Sequence, residues 1–280
     1  MAALREFELP FEGTSIHCWE GGSGVPIVLL HGSGAGVGIY SNFKRVIGPL
    51  AGKYHVLAAD LIGFGRSGYK PQKPYYDMDM WVRQARMLVD RFAGEPVVLV
   101  GHSLSGSIVL KAAAGLPSAR AVITTGTTGM PKAEGRAGPR WRYPEGRDAV
   151  RAAVERTFYD KSFATEDEVD SRLAVLTASG YREYFESMFS EDPAHYLKVA
   201  ALEDAELSAI ACPVVLMHGF QDASFAPEDT SLPLARKIRD SKVIVLNRCA
   251  HSVAVEHAPT FLTAIDELVA RTEPVSTKEN

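Results

Sequence analysis

The chain has 280 residues, of which 46% are hydrophobic, and its formal net charge is −4. Acidic and basic residues are interspersed without a basic run, and no apolar stretch reaches the ~18 residues of a membrane helix, which argues against nucleic acid or a membrane as a partner. The N-terminus lacks the apolar core of a signal peptide, so we expect a cytoplasmic protein, of one domain or one domain with an insertion, that acts on a small molecule.

Short apolar runs alternate with longer amphipathic segments along the chain. The apolar runs predict buried strands at residues 27–31, 56–59, 97–100, 121–125, 214–218 and 243–246. Helical spacing of apolar residues predicts helices at 76–92, 107–114, 227–238 and 260–269. Strands that alternate with helices indicate an α/β fold, with a mostly parallel sheet and helices on both of its faces.

The alternation of strands and helices stops between about residues 130 and 207. This stretch opens with a Pro-, Gly- and Arg-rich segment and continues as helical pieces at 151–159, 167–176 and 182–188, without a strand signal. We interpret residues 130–207 as a helical lid inserted into a core formed by residues 1–129 and 208–280. The polar tail 272–280 has the composition of a disordered segment.

The sequence GHSLSG at 101–106 lies between a predicted strand and a predicted helix. A serine hydroxyl becomes a useful nucleophile when a sharp turn lifts it clear of the backbone, and such a turn requires small residues around it. Gly101, Ser105 and Gly106 meet that requirement, although Ser105 replaces the second glycine of the usual G-x-S-x-G pattern. We therefore interpret Ser103 as the nucleophile, with an ordinary serine-containing loop as the alternative. We expect His102 to point away from the exposed side of the serine.

A serine nucleophile needs a general base, and the base needs an acid that fixes its tautomer. Where the serine lies on a turn between a strand and a helix, the acid and then the histidine follow it along the chain. Each of them lies in a loop after one of the last strands of the sheet. Asp222 and His251 have these positions. Glu228 and Asp229 are the alternative acids, and both are also suited to the start of the next helix.

The glycine-rich segment HGSGAG at 31–36 follows a predicted strand. The backbone amides of Ser33 and Gly34, together with the amide of Leu104, can hold a tetrahedral oxyanion. A phosphate-binding or dinucleotide-binding loop is the alternative. The segment has neither the Gly-Lys-Ser/Thr ending of the first nor the ribose-binding acid of the second, so a Rossmann dehydrogenase is disfavoured. The cysteines Cys18, Cys212 and Cys249 have no metal-ligand spacing.

Together, the loop 31–42, the sequence DLIGFGRS at 60–67, the elbow, Asp222 and the stretch 251–257 resemble the α/β-hydrolase superfamily over roughly residues 21–270. Within it, the chain is most similar to the meta-cleavage product hydrolases, which cleave carbon–carbon bonds in aromatic catabolism. Asn42 matches a family residue near the polar end of the substrate, and Arg172 matches the lid arginine that binds the dienoate. Ser252 stands in the pocket wall where most members have tryptophan.

The resemblance implies a mechanism without a metal or an organic cofactor. His251 assists ketonisation of a vinylogous 1,5-diketone, Ser103 or an activated water attacks the distal ketone, and the carbon–carbon bond breaks with a dienol leaving group. The resemblance also implies a homodimer or homotetramer. The alternatives are a carboxylesterase or lactonase with the same triad, or a small-molecule receptor on the same scaffold. Serine at 103 argues against haloalkane dehalogenases and epoxide hydrolases, which need aspartate there.

Overall fold

The structure is a computed structural model that describes residues 4–131 and 141–272. One eight-stranded sheet runs through these residues in the order β1-β2-β4-β3-β5-β6-β7-β8. Its strands are β1 (Arg5–Phe11), β2 (Thr14–Gly21), β3 (Pro26–Leu30), β4 (His55–Ala59), β5 (Val97–His102), β6 (Ala119–Thr125), β7 (Val214–Gly219) and β8 (Ser241–Leu246). Strands β3 to β8 are parallel to one another, whereas β2 is antiparallel to both β1 and β4.

The six strands predicted from apolar runs are confirmed as β3 to β8. The side chains of β3 to β7 are almost all buried, on both sheet faces, which is why these strands appear as continuous apolar runs, whereas the edge strand β8 is only partly buried. The hairpin of β1 and β2 was missed. In β1, Phe7, Leu9 and Phe11 alternate with exposed residues. This period of two is the signal of a strand with one face in solvent, and it could have revealed the hairpin.

Twelve α-helices lie in the described residues. They are α1 (Ile39–Phe43), α2 (Ile47–Ala51), α3 (Met78–Asp90), α4 (Leu104–Ala113), α5 (Gly146–Glu155), α6 (Glu166–Leu176), α7 (Tyr181–Met188), α8 (Pro193–Ala200), α9 (Asp204–Ser208), α10 (Ser231–Lys237), α11 (Val253–Glu256) and α12 (Ala258–Arg271). Apolar clusters form on both faces of the sheet. Alternate residues of β3 enter opposite clusters: Val28 packs on one side and Ile27 on the other. The predicted covering of both faces is therefore confirmed.

The predicted helices are present, with shifted ends. Helix α4 begins at Leu104, directly behind Ser103, rather than at residue 107. Helix α10 begins four residues later than predicted, because Thr230 has φ −133° and ψ −80° and residues 227–230 form a separate turn. The described residues of the predicted lid, 130–131 and 141–207, contain α5 to α8 and most of α9 and no strand. The division into core and lid stays a prediction, and the predicted tail lies almost wholly outside the described residues.

Four parallel strands lead into the candidate site. Strands β3, β5, β7 and β8 end just before the glycine-rich loop, Ser103, Asp222 and His251, respectively. Because the carboxyl ends of parallel strands lie at the same edge of a sheet, the fold brings these segments together there. No helix in the described part of the chain is both long and apolar enough to cross a membrane.

Candidate active site

Ser103 occupies a strained turn between β5 and α4. Its backbone has φ 55° and ψ −119°, a combination that residues with side chains rarely adopt. The turn is tightly packed. A Cβ atom added to Gly101 would lie 2.2 Å from the carbonyl oxygen of Ser105, and one added to Gly106 would lie 2.0 Å from Thr127 Oγ1. Both positions therefore require glycine, and the turn projects the serine side chain at the start of a helix.

Ser105 ties the elbow to the glycine-rich loop. Its buried hydroxyl donates a hydrogen bond to the backbone carbonyl of His31, the residue that follows β3. His31 Nε2 accepts the Leu61 amide at 3.0 Å, so the ring proton lies on Nδ1 and is donated to the Gly32 carbonyl at 2.6 Å. Replacement of the usual glycine by Ser105 thus adds a contact between two catalytic segments.

His251 is oriented by Asp222. The two residues form a 2.7 Å hydrogen bond between His251 Nδ1 and Asp222 Oδ2. The other carboxylate oxygen accepts the amides of Ser224 at 2.8 Å and Phe225 at 3.1 Å. Since Nδ1 donates its proton to the carboxylate, Nε2 is left with the lone pair that a general base uses.

A second imidazole, which the sequence reasoning did not single out, also contacts the acid. His218 is fully buried at the end of β7, and its Nε2 lies 2.7 Å from the Phe225 carbonyl and 3.2 Å from Asp222 Oδ2. Both neighbours are acceptors, so Nε2 carries a proton, and Nδ1 accepts the Ser231 hydroxyl at 2.7 Å. Burial alone raises the pKa of Asp222, but the charge and hydrogen bond of His251 and the hydrogen bond of His218 outweigh it and hold that pKa well below the usual range.

Ser103 and His251 line one cavity of about 180 Å³. Four other residues predicted to form the site, Ser33, Gly34, Asn42 and Arg172, also line it. The remaining predicted residues lie behind this surface. Asp222 contacts His251 from behind, Leu104 is buried at the first position of α4, and Ser252 is buried with its amide bonded to the Thr157 carbonyl at 3.0 Å.

The expected orientation of His102 is wrong. His102 lines the same cavity as Ser103, and its ring centroid lies 4.6 Å from that of His251. A 2.9 Å contact between His102 Nδ1 and Thr125 Oγ1 on the neighbouring strand fixes this orientation. Burial and the adjacent His251 lower the pKa of His102 well below its ordinary value, so the ring is neutral at physiological pH.

The glycine-rich loop is held at the edge of the cavity by side chains. Asn42 Oδ1 accepts the Gly32 amide at 2.9 Å, which leaves the side-chain NH₂ of Asn42 as the donor available to a ligand. A Cβ atom added to Gly32 would lie 3.0 Å from Ser103 Cβ, so the loop closely approaches the nucleophile. Across the cavity, Trp141 Nε1 donates a 2.8 Å hydrogen bond to Ser33 Oγ. The sequence reasoning did not identify this contact.

Arg172 is a buried cation with an incomplete set of partners. Its side chain is 8% exposed, and its Nε atom has no hydrogen-bond partner among the described residues. Glu168 Oε1 lies 3.9 Å away, while Glu168 Oε2 is 2.8 Å from Lys44 Nζ. Burial lowers the pKa of Arg172, and Glu168 opposes that effect. A buried guanidinium without a close carboxylate is costly unless a ligand supplies the negative charge.

The described residues contain no cluster of three or more His, Cys, Asp or Glu side chains that could hold a metal ion. The chemistry available at this site comes from a serine, the imidazoles of His251 and His102, a carboxylate and an arginine. This set suits nucleophilic attack on a carbonyl carbon of an anionic molecule. The predicted oligomeric state and location stay predictions.

The similarity to known proteins extends over almost the whole chain. A model of the Alpha/beta hydrolase family matches residues 27–264. The chain is 29% identical over 263 residues to the 2-hydroxymuconate semialdehyde hydrolase of Pseudomonas sp. (strain CF600), an alignment that covers 93% of this chain and 91% of that protein. It is also 29% identical over 259 residues to the 2-hydroxy-6-oxo-2,4-heptadienoate hydrolase of Pseudomonas putida (strain F1), with 92% of each covered.

Solved structures of similar proteins share the fold. The 2-hydroxy-6-oxo-6-phenylhexa-2,4-dienoate hydrolase from Rhodococcus sp. strain RHA1 is 27% identical with a TM-score of 0.82, over 96% of this chain and 100% of that chain. A meta-cleavage product hydrolase from Pseudomonas fluorescens IP01 has a TM-score of 0.83 at 24% identity, over 95% of this chain and 98% of that chain.

Proposed function

The chain belongs to the alpha/beta hydrolase family, and we propose that it cleaves a carbon–carbon bond in a meta-cleavage product of the 2-hydroxy-6-oxohexa-2,4-dienoate type. One observation carries this proposal: buried Arg172, with an unpartnered Nε atom, lines the same cavity as Ser103 and His251. The carboxylate of a dienoate would supply the charge that the protein does not. The names of the two Pseudomonas relatives, which are hydrolases of such molecules, support the same substrate class.

In the proposed reaction, His251 first assists ketonisation of the dienol. Ser103 Oγ, or a water activated in its place, then attacks the distal carbonyl carbon and gives its proton to His251 Nε2. The amides of Ser33, Gly34 and Leu104 stabilise the oxyanion. When the oxyanion collapses, the carbon–carbon bond breaks, its electron pair leaves with the departing chain, and that chain takes the proton from His251 Nε2 to become the dienol. If Ser103 attacked, water then hydrolyses the acyl-enzyme, and if water attacked, the acid is released directly.

The remaining residues act on the substrate or on the catalytic groups. Asp222 holds His251 in the tautomer whose Nε2 is basic. Arg172 binds the carboxylate, and the Asn42 NH₂ group donates to an oxygen at the same polar end of the substrate. Ser252, which most family members replace with tryptophan, does not line the cavity and takes no part in the proposed reaction. No step requires a metal or an organic cofactor.

A direct assay tests the proposal. Purified enzyme is mixed with yellow 2-hydroxy-6-oxohepta-2,4-dienoate, and loss of the yellow absorbance is followed while acetate and 2-hydroxypenta-2,4-dienoate are quantified. We expect the two products in equal amounts, since one water molecule is consumed per bond broken. p-Nitrophenyl acetate is assayed in parallel. Ester cleavage without any loss of the dienoate would assign the protein to the carboxylesterases or lactonases that use the same triad.

A further inference from the structure

The arginines in the described part of the predicted lid fall into two groups. Three of them form ion pairs with carboxylates and do not line the catalytic cavity: Arg147, Arg151 and Arg182. The other three line the cavity: Arg142, Arg156 and Arg172. The paired arginines are accounted for by the fold itself, whereas the second group requires another explanation.

The described lining of the cavity offers these three cations no carboxylate, and the nearest described carboxylate oxygen to Arg172 is Glu168 Oε1, 3.9 Å from its Nε atom. The lining contains no aspartate or glutamate, and Arg142 and Arg156 form no ion pair with any residue in 4–131 or 141–272. Burial lowers the pKa of Arg172, and the positive charge of Arg156 adds to that effect. The two guanidinium groups therefore repel each other electrostatically in the free protein.

One carboxylate does not balance this charge. A dienoate with a single carboxylate matches Arg172 and leaves the exposed pair Arg142 and Arg156 without a partner. Charges at the mouth of a cleft act on a ligand more strongly than the same charges on a flat surface, because the low-dielectric walls focus the field. The cavity is thus suited to a ligand that carries a second negative charge.

We propose that Arg142 and Arg156 form a second anion subsite and that the substrate class is the dicarboxylates, dienoates whose acyl part carries its own carboxylate. This inference rests on the proposed function, because it assumes that the first carboxylate binds at Arg172. The buried guanidinium binds the carboxylate common to the whole class. The arginine pair at the mouth selects the molecules that carry a second one.

Two ligands that differ only in the second carboxylate test this subsite. Hexa-2,4-dienoate and hexa-2,4-dienedioate share the same six-carbon diene, and neither contains the ketone that the enzyme would attack. Isothermal titration calorimetry therefore measures their binding without turnover. We expect the wild-type protein to bind the dienedioate about tenfold more tightly. The double variant Arg142→Gln/Arg156→Gln should lose most of this preference and keep its affinity for the monoanion.

The chain provides a matched control. Arg147→Gln/Arg151→Gln removes the same amount of charge from helix α5, outside the cavity, and should retain the tenfold preference. The proposal is overturned if both ligands bind the wild-type protein equally, if the preference survives in the cavity variant, or if the control variant loses it equally. If the protein prefers the dienedioate but does not cleave the heptadienoate, the anion subsite is supported and the carbon–carbon hydrolase is rejected. If it cleaves the heptadienoate but binds both ligands equally, the carbon–carbon hydrolase is supported and the anion subsite is rejected.

Discussion

The catalytic cavity is lined by residues of the predicted core (the core wall) and by residues of the predicted lid (the lid wall), and the two walls are built differently. On the core wall, polar groups find protein partners: Asp222 accepts two backbone amides and contacts both His251 and His218. On the lid wall, Arg172 keeps an unpartnered Nε atom, and Arg156 has no ion pair within the described residues. The acid and the base of the core wall are positioned without a ligand, whereas the lid wall carries positive charge that a ligand would balance. We infer that the core determines the reaction and the lid determines the substrate.

The largest expected effect comes from removing the nucleophile on the core wall. Ser103→Ala should lower kcat by ~10⁴-fold or more on every substrate, because the oxyanion hole remains but no activated hydroxyl lies beside it. Calorimetric binding of hexa-2,4-dienoate should be unchanged, since its expected partner is on the lid wall. Ser105→Ala is the control, and we expect a much smaller loss from the missing bond to His31. If Ser105→Ala is inactive and Ser103→Ala is active, the nucleophile is Ser105 and not Ser103.

Asp222 and His251 should behave as one unit of the core wall. Either Asp222→Ala or His251→Ala should lower the rate steeply, and the double variant should be little worse than His251→Ala, because the carboxylate acts through the imidazole. Steady-state kcat of the two single variants and the double variant decides this. If the losses multiply, Asp222 acts separately and another carboxylate, such as Glu228, orients the base.

The lid wall should discriminate between substrates. Arg172→Ala should lower kcat/KM for the dienoate by about 10- to 100-fold, the cost of about 1.5 to 3 kcal/mol for a charge-assisted contact. Neutral p-nitrophenyl acetate should be almost unaffected. Arg172→Lys should recover only part of the loss, since an ammonium group does not reproduce the planar guanidinium. Equal losses on both substrates would mean that Arg172 holds the lid together instead of binding the carboxylate.

His102 tests whether a buried imidazole of the core wall contributes to pH-dependent stability. Its pKa is lowered in the folded state, so the unfolded chain binds a proton that the folded chain excludes below pH 6.5. The free energy of unfolding should therefore fall as pH drops from 7 to 5, by up to about 1.4 kcal/mol per pH unit for each such group. Urea titrations of His102→Gln should show a shallower decrease. His195→Gln, which replaces an exposed lid histidine, is the control, and a slope unchanged in His102→Gln would contradict the assignment.

Much of the core wall was predictable from sequence because its signals are local. Buried parallel strands are continuous apolar runs, and the order Ser103, Asp222, His251 along the chain follows from strands that end at one edge. The hairpin of β1 and β2 was missed because its alternating pattern is weaker than a buried run. The start of α4 was misplaced because the elbow residues do not resemble a helix start.

The contacts that were not predictable depend on residues distant in the chain. The orientation of His102 is set by Thr125, on the neighbouring strand. The partner of Glu168 is also non-local: spacing along α6 favours a pair with Arg172, but its closest cation is Lys44, 124 positions away. Consequently, the sequence identifies Arg172 as a residue to test, whereas the lack of a hydrogen-bond partner at its Nε atom emerges only from the folded structure.

The smallest expected effect concerns the contact that joins the two walls. Trp141 donates its indole N–H to Ser33 Oγ at 2.8 Å and stacks on Phe189 with ring centroids 5.0 Å apart. Trp141→Phe keeps an aromatic ring for the stack and removes the donor. A hydrogen bond of this kind contributes about 1 kcal/mol, so kcat/KM for p-nitrophenyl acetate should fall about fivefold.

The smaller phenyl ring also changes the size of the cavity, so Trp141→Phe alone does not isolate the hydrogen bond. Ser33→Ala removes the same bond from the core side and leaves the Ser33 amide in place. If the bond positions the oxyanion loop, Ser33→Ala should lower kcat/KM for p-nitrophenyl acetate about fivefold in the wild-type protein. In the Trp141→Phe variant, where the bond is already lost, the same change should have almost no effect. Equal costs in both backgrounds would show that the lid does not act on the core through this contact, and the two walls would then work independently.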